Sequence, residues 1–147
     1  VYHKDQEDIR DKAKLIMESF GVHVSAKLRS EEQCGNVYTK SRQLFLYLSQ
    51  FKQSHKSIDI PDFIKTGDLQ LKSSYIAGLF DADGTEGKPV SITSIYKDYL
   101  IQIQNLLASI GIASRVRLSR ASINNWKDLY TINIVGKKHL NLFYKIS

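Results

Sequence analysis

Hydrophobic and polar positions follow the same order at two places along the chain. Residues 102–112 show the period of an amphipathic helix that ends at a glycine, and residues 115–119 then alternate apolar and polar side chains as a half-buried strand does. Residues 12–22 and 25–29 show the same order 90 positions earlier. A helix, a glycine and an alternating basic strand at one fixed offset predict an internal repeat.

The second copy of this repeat reads as a complete unit. Beyond the alternating strands the alignment shifts to an offset of 98, which pairs residues 40–45 with 138–143 and predicts about eight extra residues near 121–127. The strands come in hairpin-like pairs, which favours an α+β fold with antiparallel sheets. The expected elements are a helix at 72–83, strands at 85–87 and 90–94, a helix at 97–109, strands at 114–123 and 128–136, and a helix from residue 138.

The first copy is expected to be incomplete. Projected back by 90 positions, the first helix and first strand of the second copy fall before Val1. Because the chain also begins with Val rather than Met, we expect a fragment or a processed product. We predict that residues 1–51 are the C-terminal part of a first repeat, residues 52–69 a polar linker, and residues 70–147 the second repeat.

The composition is that of a globular domain with a basic surface. The 147 residues are 42% hydrophobic and 24% charged, with a net charge of +6 and a pI of about 9.4, which favours an anionic partner. The single cysteine, Cys34, excludes an internal disulfide and fits a reducing compartment. No apolar run approaches a membrane span and no secretory signal is recognisable, so we expect an intracellular protein of the cytoplasm, an organelle or the nucleus that has no membrane partner.

The most informative stretch covers residues 75–85, which are apolar or small up to Phe80 and then contain Asp81, Asp83 and Gly84. A buried helix that ends at these acids explains the pattern, with Gly84 permitting a sharp exit. Two carboxylates at the negative end of a helix dipole are unfavourable without a cation, which predicts a bound metal or a basic partner. The alternative is a buried helix that ends in an ordinary polar turn.

Residues 76–84 closely resemble the LAGLIDADG motif of homing endonucleases, including those embedded in inteins. The two departures, Ile76 and Phe80, replace one apolar residue by another. The resemblance implies duplicated αββαββα units with saddle-like sheets astride DNA. It also implies that two motif helices pack side by side and that each delivers its second acid to a shared Mg²⁺ or other divalent-metal site over the minor groove. That acid is Asp83 here, with the carbonyl of Ala82 as a second ligand and Asp81 as a mainly structural residue.

Lys138 and Lys40 are the next candidate catalytic residues. Each is expected to follow a strand and open the last helix of its repeat. The resemblance implies that a basic residue near this strand end polarises water or stabilises the transition state. The alternative is that both lysines are solvated surface charges.

The polar faces of the strands are the candidate DNA-binding surface. Val116 and Leu118 are expected to face the helices, so their neighbours face away. Antiparallel β-ribbons can enter the major groove, where basic and amide side chains contact phosphates and base edges. The alternative is a charged face that contacts only solvent. The candidate contact residues are Ser25, Lys27, Arg29, Ser91, Thr93, Arg115, Arg117, Ser119, Thr131 and Asn133.

Three functions remain open from the sequence. The first is a site-specific double-strand DNA endonuclease domain that acts with Mg²⁺ and is derived from an intein or an intron. The second is a non-cleaving DNA- or RNA-binding relative, such as a decayed endonuclease or an RNA-splicing maturase. The third is a structural fragment within a larger host. With one acidic motif in the chain, a complete active site would need the other motif helix from a missing N-terminal repeat or a second chain.

Overall fold

The computed structural model describes residues 2–3, 5, 7–28, 34–51, 58–85, 89–122 and 127–146. It contains helices and short strands, and none of the helices in this part of the chain is both long and apolar enough to span a membrane. The elements are β1 (Tyr2–His3), α1 (Glu7–Glu18), β2 (Val24–Leu28), β3 (Cys34–Thr39), α2 (Arg42–Ser49), α3 (Asp62–Lys65), α4 (Leu69–Asp83), β4 (Ser91–Ser94), α5 (Lys97–Ser109), β5 (Ser114–Arg120), β6 (Leu129–Ile134) and α6 (Lys137–Phe143).

The chain forms two compact units, residues 1–50 and residues 51–147. Each unit has an antiparallel sheet, with strand order β1-β3-β2 in the first and β4-β6-β5 in the second. The α+β class and the duplication are therefore confirmed. Of the predicted strand at 85–87, the described part shows only a bridge between Gly84 and Ile92, because residues 86–88 lie outside it.

The equivalent helices α1 and α5 of the two repeats are each followed by a glycine at the same position. Gly21 and Gly111 have φ values of 72° and 82°, in the left-handed region that glycine adopts without a steric penalty. The Gly21 N–H donates to the Glu18 carbonyl at 2.8 Å, and the Gly111 N–H donates to the Ala108 carbonyl at 3.0 Å. These glycines stop the helices as predicted and support the offset of 90.

The offset after the hairpin is 95, not 98. The register pairs Val24 with Thr39 in the first sheet and Ser114 with Ile134 in the second, so the offset grows from 90 to 95 and the second copy has five extra residues rather than eight. The prediction slipped by three residues, which is close to one helical turn. A shift of that size keeps apolar residues on the same helix face, so the shifted alignment still pairs apolar positions with apolar positions.

The core of the second unit lies between α4, α5, α6 and the inner face of the sheet. Ile76 of α4, Ile103 of α5 and Ile132 of β6 are fully buried. The rings of Phe80 and Phe143 meet edge to face with centroids 4.8 Å apart, which joins the motif helix to the last helix. Burial of each such side chain contributes about 1.5–3 kcal/mol, so α4 is held mainly by its apolar face.

The C-terminal half of the predicted linker belongs to this core. Ile60 and Ile64 are 1% and 5% exposed, and they belong to the buried cluster that includes the residues of α5. The Ile60 N–H donates to the Gln102 side-chain oxygen at 2.9 Å, and the Gln102 amide donates to Asp59 at 2.7 Å. Pro61 interrupts the apolar residues of this segment, which is why the sequence indicated only a linker. Residues 52–57 lie outside the described part.

The first unit exposes apolar side chains that are buried at the equivalent positions of the second. Ile16 is 63% exposed, whereas its equivalent Leu106 is 4% exposed; Leu48 is 51% exposed, whereas its equivalent Phe143 is 4% exposed. In the second unit these positions belong to the cluster that α4 joins through Ile76 and Phe80. The exposed residues of the first unit are therefore the equivalents of residues that pack in one cluster with α4 in the second unit.

Candidate metal and nucleic-acid site

The motif helix α4 is held at its start by a cap and along its length by one buried face. Asp68 accepts a hydrogen bond from the Leu71 N–H at 2.8 Å, which satisfies one of the free amides of the first turn. Ile76 and Phe80 lie four residues apart and point into the core. Asp83 comes three residues after Phe80, so it continues the same face at the point where the helix ends.

Gly84 is required for close approach rather than for a left-handed backbone. Its φ is −75° and its ψ is 159°, an extended conformation that any residue adopts, so the sharp exit expected at Gly84 does not use a left-handed backbone. The Gly84 N–H donates to the Phe80 carbonyl at 2.8 Å. A Cβ at this position would collide with that carbonyl oxygen, because the chain folds directly back over the helix end.

The face of α4 away from the core is lined with small residues. Ser74, Gly78 and Ala82 follow one another at four-residue spacing and are exposed, and a Cβ at Gly78 would meet no atom within 4 Å. Ala77 beside them is half-buried. The backbone at Gly78 is thus open to close approach, and the expectation that another helix packs here stays a prediction.

Asp81, Ala82 and Asp83 are exposed together at the C-terminal end of α4. Neither carboxylate forms an ion pair with another described residue, and the described ranges contain no group of three or more histidine, cysteine, aspartate or glutamate residues that could hold a metal. Carboxylate and carbonyl oxygens suit a hard divalent cation. The donor set fits such an ion but leaves ligands to be supplied from elsewhere.

A half-buried tyrosine of the motif helix contacts a buried tyrosine of α5. The hydroxyls of Tyr75 on α4 and Tyr99 on α5 are 3.4 Å apart. Burial raises the pKa of the Tyr99 hydroxyl far above its usual range, the hydrogen bond with Tyr75 adds to the rise in pKa, and the negative charge of Asp83 acts in the same direction. No local sequence pattern indicates this pair, because its two members are brought together only by helix packing.

Lys40 lies in a cleft at the end of the first sheet. It follows β3 directly and precedes Ser41, the N-cap of α2, whose hydroxyl accepts a hydrogen bond from the Leu44 N–H at 3.2 Å. The cleft has a volume of about 560 Å³ and is otherwise lined by Gly21, Val22, His23, Ser25, Tyr38, Thr39, Ser41 and Gln43.

The two candidate lysines do not occupy equivalent positions. With the offset of 95, Lys40 is equivalent to Val135, and Lys138 is equivalent to Gln43. Gln43 lines the cleft that contains Lys40, and Lys138 is the exposed second residue of α6. Each repeat thus has its candidate lysine at the corner where the last strand meets the last helix, but the two candidates stand at different positions, and Lys137 adjoins Lys138 in the second repeat. The catalytic role of either lysine stays a prediction.

The polar face of the second sheet brings together six of the predicted contact residues in two cross-strand rows. In the first row Asn133 lies between Ser91 and Arg115, and in the second Thr131 lies between Thr93 and Arg117. Ser119 adjoins the second row through a hydroxyl contact with Thr131.

The opposite face of this sheet is apolar, as predicted, with one exception. Ile92 and Ile132 are buried and Val116 packs against them. Leu118 was expected to face the helices but is 51% exposed, since it lies at a bulge near the end of β5.

Not all of the polar face is accessible. Ser91 and Thr131 are 7% and 8% exposed, and the Ser91 hydroxyl lies 2.9 Å from that of Thr85. The side-chain oxygen of Asn133 is buried and has no hydrogen-bond partner among the described residues. Arg115 and Arg117 are exposed and are the residues of this face with the longest reach.

The first sheet carries a similar face that includes two residues the sequence analysis missed. Ser25 pairs with Tyr38, and Lys27 pairs with Asn36, so the four side chains share one face. The alternation of β3 could have identified Asn36 and Tyr38, but only the β2 side of the hairpin was assigned. Arg29 lies outside the described residues.

Comparison with known protein families agrees with the geometry. The description of a LAGLIDADG-like domain matches residues 70–146, more than half of the chain. The chain belongs to the LAGLIDADG-like family. This match begins at the second residue of α4 and covers the whole second repeat.

Two archaeal relatives contain a similar segment. The chain is 29% identical over 118 residues to the DNA polymerase of Thermococcus litoralis, which covers 77% of this chain and 7% of the polymerase. It is 34% identical over 95 residues to elongation factor 2 of Methanopyrus kandleri, which covers 63% of this chain and 7% of the factor. The LAGLIDADG-like chain thus spans less than a tenth of the length of either relative.

The fold is similar to that of the homing endonuclease I-DmoI. A structure of I-DmoI in complex with DNA and Ca matches 96% of this chain and 68% of that chain, with a TM-score of 0.72 and 15% sequence identity. At this identity the likeness establishes the fold of the LAGLIDADG-like chain.

Proposed function

We propose that the chain is part of a site-specific double-strand DNA endonuclease of the homing type that hydrolyses phosphodiesters across the minor groove. The observation that carries this proposal is the motif helix that ends in the exposed Asp83, in a unit whose sheet presents Arg115 and Arg117 on its polar face. I-DmoI, which shares the fold, has been captured with DNA and Ca. Double-stranded DNA is therefore the proposed partner, and the proposed location is inside the cell.

Mg²⁺ or another divalent cation is the proposed cofactor. Asp83 and the carbonyl of Ala82 would hold it, because both are exposed and neither carboxylate of this helix end has a competing cation among the described residues. A bound divalent cation stabilises negative charge on phosphate oxygens and lowers the pKa of a bound water. Lys138, at the start of α6, would provide a positive charge near the phosphate and assist rather than hold the metal.

We propose that the second motif helix comes from a preceding repeat of the same protein or from another chain. The first unit supports this, since Ile16 and Leu48 are exposed where their equivalents in the second unit are buried. An equivalent of α4 placed there would cover these side chains and bring a second acid.

We further propose an origin as an insertion within a host protein, such as an intein. A DNA polymerase and an elongation factor have unrelated functions, yet each contains a segment similar to this chain over 7% of its length. A segment shared by unrelated hosts is expected of an inserted element rather than of a host domain.

The test follows from this origin. The full-length protein is incubated in Mg²⁺ with two duplexes, one spanning the host coding sequence with the insertion removed and one spanning the interrupted gene. An enzyme of the homing type cuts the first duplex and leaves the second intact, since it must not cut its own gene. Binding without cutting of either duplex would favour the non-cleaving DNA- or RNA-binding relative.

A further inference from the structure

Three hydroxyls form a chain across the strands of the second sheet. The Thr93 Oγ1 of β4 lies 3.3 Å from the Thr131 Oγ1 of β6, which in turn contacts the Ser119 Oγ of β5. Within the described residues, these are the hydrogen bonds that the three side-chain hydroxyls make. Thr131 is 8% exposed, whereas Thr93 and Ser119 are exposed at the two ends.

The three hydroxyls come into contact because β5 carries one residue more than β6 at this point. Leu118 pairs with Tyr130, whereas Arg120 pairs with Leu129, so Ser119 is the extra residue of a bulge. Arg117 remains the cross-strand partner of Thr131. The bulge thus places a second side chain of β5 beside Thr131.

The buried hydroxyl at the centre restricts the two exposed ones. A hydroxyl has one proton to donate and can accept through two lone pairs. Thr131 can donate to Thr93 or to Ser119, and the neighbour that does not receive its proton must donate to Thr131, because two hydroxyl oxygens in contact without a proton between them repel each other. One of the two outer hydroxyls, Thr93 or Ser119, therefore donates its proton to Thr131, and the other is free to donate outwards.

We propose that Thr131 is a specificity-determining positioning residue that makes Thr93 and Ser119 offer one outward donor between them, never two. The inference rests on the proposed function, since it takes this sheet face as a DNA-reading surface. In the major groove, guanine O6 and N7 and thymine O4 are acceptors, whereas the amino groups of adenine and cytosine are donors. Targets that present an acceptor to both hydroxyls are then disfavoured, and every other combination is tolerated.

The test is a set of binding measurements in Ca²⁺ with the full-length protein. The base pairs that depend on each end are first found with Thr93→Val and Ser119→Ala on singly substituted duplexes. Duplexes that present acceptors at both positions are then compared with the two single changes. If the two positions were independent, the affinity change of the doubly changed duplex would be the product of the two single changes. For the unchanged protein we expect the doubly changed duplex to bind about fivefold more weakly than this product, which is the effect of one lost hydrogen bond.

Thr131→Val is the decisive variant, because valine keeps the shape but removes the hydroxyl. With both ends free to donate, the variant should bind the acceptor–acceptor duplex about fivefold better relative to the other duplexes. Misfolding cannot produce such a gain. Thr131→Ser keeps the hydroxyl and should retain the pattern of the unchanged protein. Thr85→Val removes a hydroxyl that contacts Ser91 but none of the three linked hydroxyls. It should therefore retain the binding pattern of the unchanged protein.

The outcomes separate this inference from the proposed function. If the protein binds DNA but the two positions behave independently, or if Thr131→Val keeps their dependence, the role of Thr131 is wrong and the proposed function stands. It is also wrong if Thr93→Val and Ser119→Ala change the preference at no base pair. If the protein binds no duplex, the proposed function fails, and this inference fails with it.

Discussion

Lys138 occupies in the second repeat the position that Gln43 occupies in the first. The strand registers require this, and the same registers make Val135 the equivalent of Lys40. The candidate lysine of each repeat therefore stands at one of two positions around the same corner, three residues apart. At that distance either position could direct an ammonium towards one phosphate.

This relationship predicts that the lysine can be moved. Lys138→Met should slow cleavage by the full-length protein by about a hundredfold or less, as expected for the loss of one group that stabilises charge. Lys138→Gln combined with Val135→Lys gives the second corner the arrangement of the first and should recover part of the lost rate. Single-turnover cleavage rates in Mg²⁺ measure both effects. No recovery in the double variant would mean that the two corners are not interchangeable.

The polar sheet face should dominate DNA binding. Arg115→Glu combined with Arg117→Glu should weaken binding strongly and reduce the slope of log K against log salt by about two, because two phosphate contacts are lost. The control reverses Lys12 and Lys14, which lie on α1 and not on a strand. Titrations at several salt concentrations compare the two pairs. Equal losses would mean that only the net charge matters.

The sequence predicted the elements best where local signals were strong. The limits of α5, residues 97–109, are those expected, because an apolar period meets a left-handed Gly111 at its end. The offset after the hairpin was missed, because a slip of three residues preserves the faces of a helix. The burial of Ile60 and the Tyr75–Tyr99 pair were also missed. Both depend on contacts with α5 that no local pattern indicates.

Tyr99 should make the stability of the second unit depend on alkaline pH. Its folded pKa is raised above the ordinary value of 10.0, mainly by burial. Above that pH the unfolded chain loses the proton that the folded chain keeps, so the free energy of unfolding should fall by up to about 1.4 kcal/mol per pH unit. Urea unfolding at pH 9 to 11 measures the slope. Tyr99→Phe should lessen the slope, and Tyr144→Phe, at an exposed position, should not.

Two glycines of the motif should respond in opposite directions to the same substitution. Gly84→Ala should destabilise the chain by about 1–3 kcal/mol, because the new Cβ meets the Phe80 carbonyl oxygen and the backbone must shift. Gly78→Ala should stabilise it by about 0.5–1 kcal/mol, since the site is open and alanine favours a helix. Denaturant midpoints of the two variants test this. A loss of stability in Gly78→Ala would indicate that another backbone already packs against α4.

Asp83 should be essential for cleavage by the full-length protein. Asp83→Asn keeps the size and most hydrogen-bonding capacity of the side chain but removes the charge that would hold a divalent cation at the end of α4. Cleavage in Mg²⁺ should fall by several orders of magnitude, whereas DNA binding in Ca²⁺ should change little, because the strand faces supply most of the contacts. Asp81→Asn is the matched control, since Asp81 is an exposed acid of the same helix end and should cost less activity. Undiminished cutting by Asp83→Asn would leave α4 as a packing helix and remove this carboxylate from the active site.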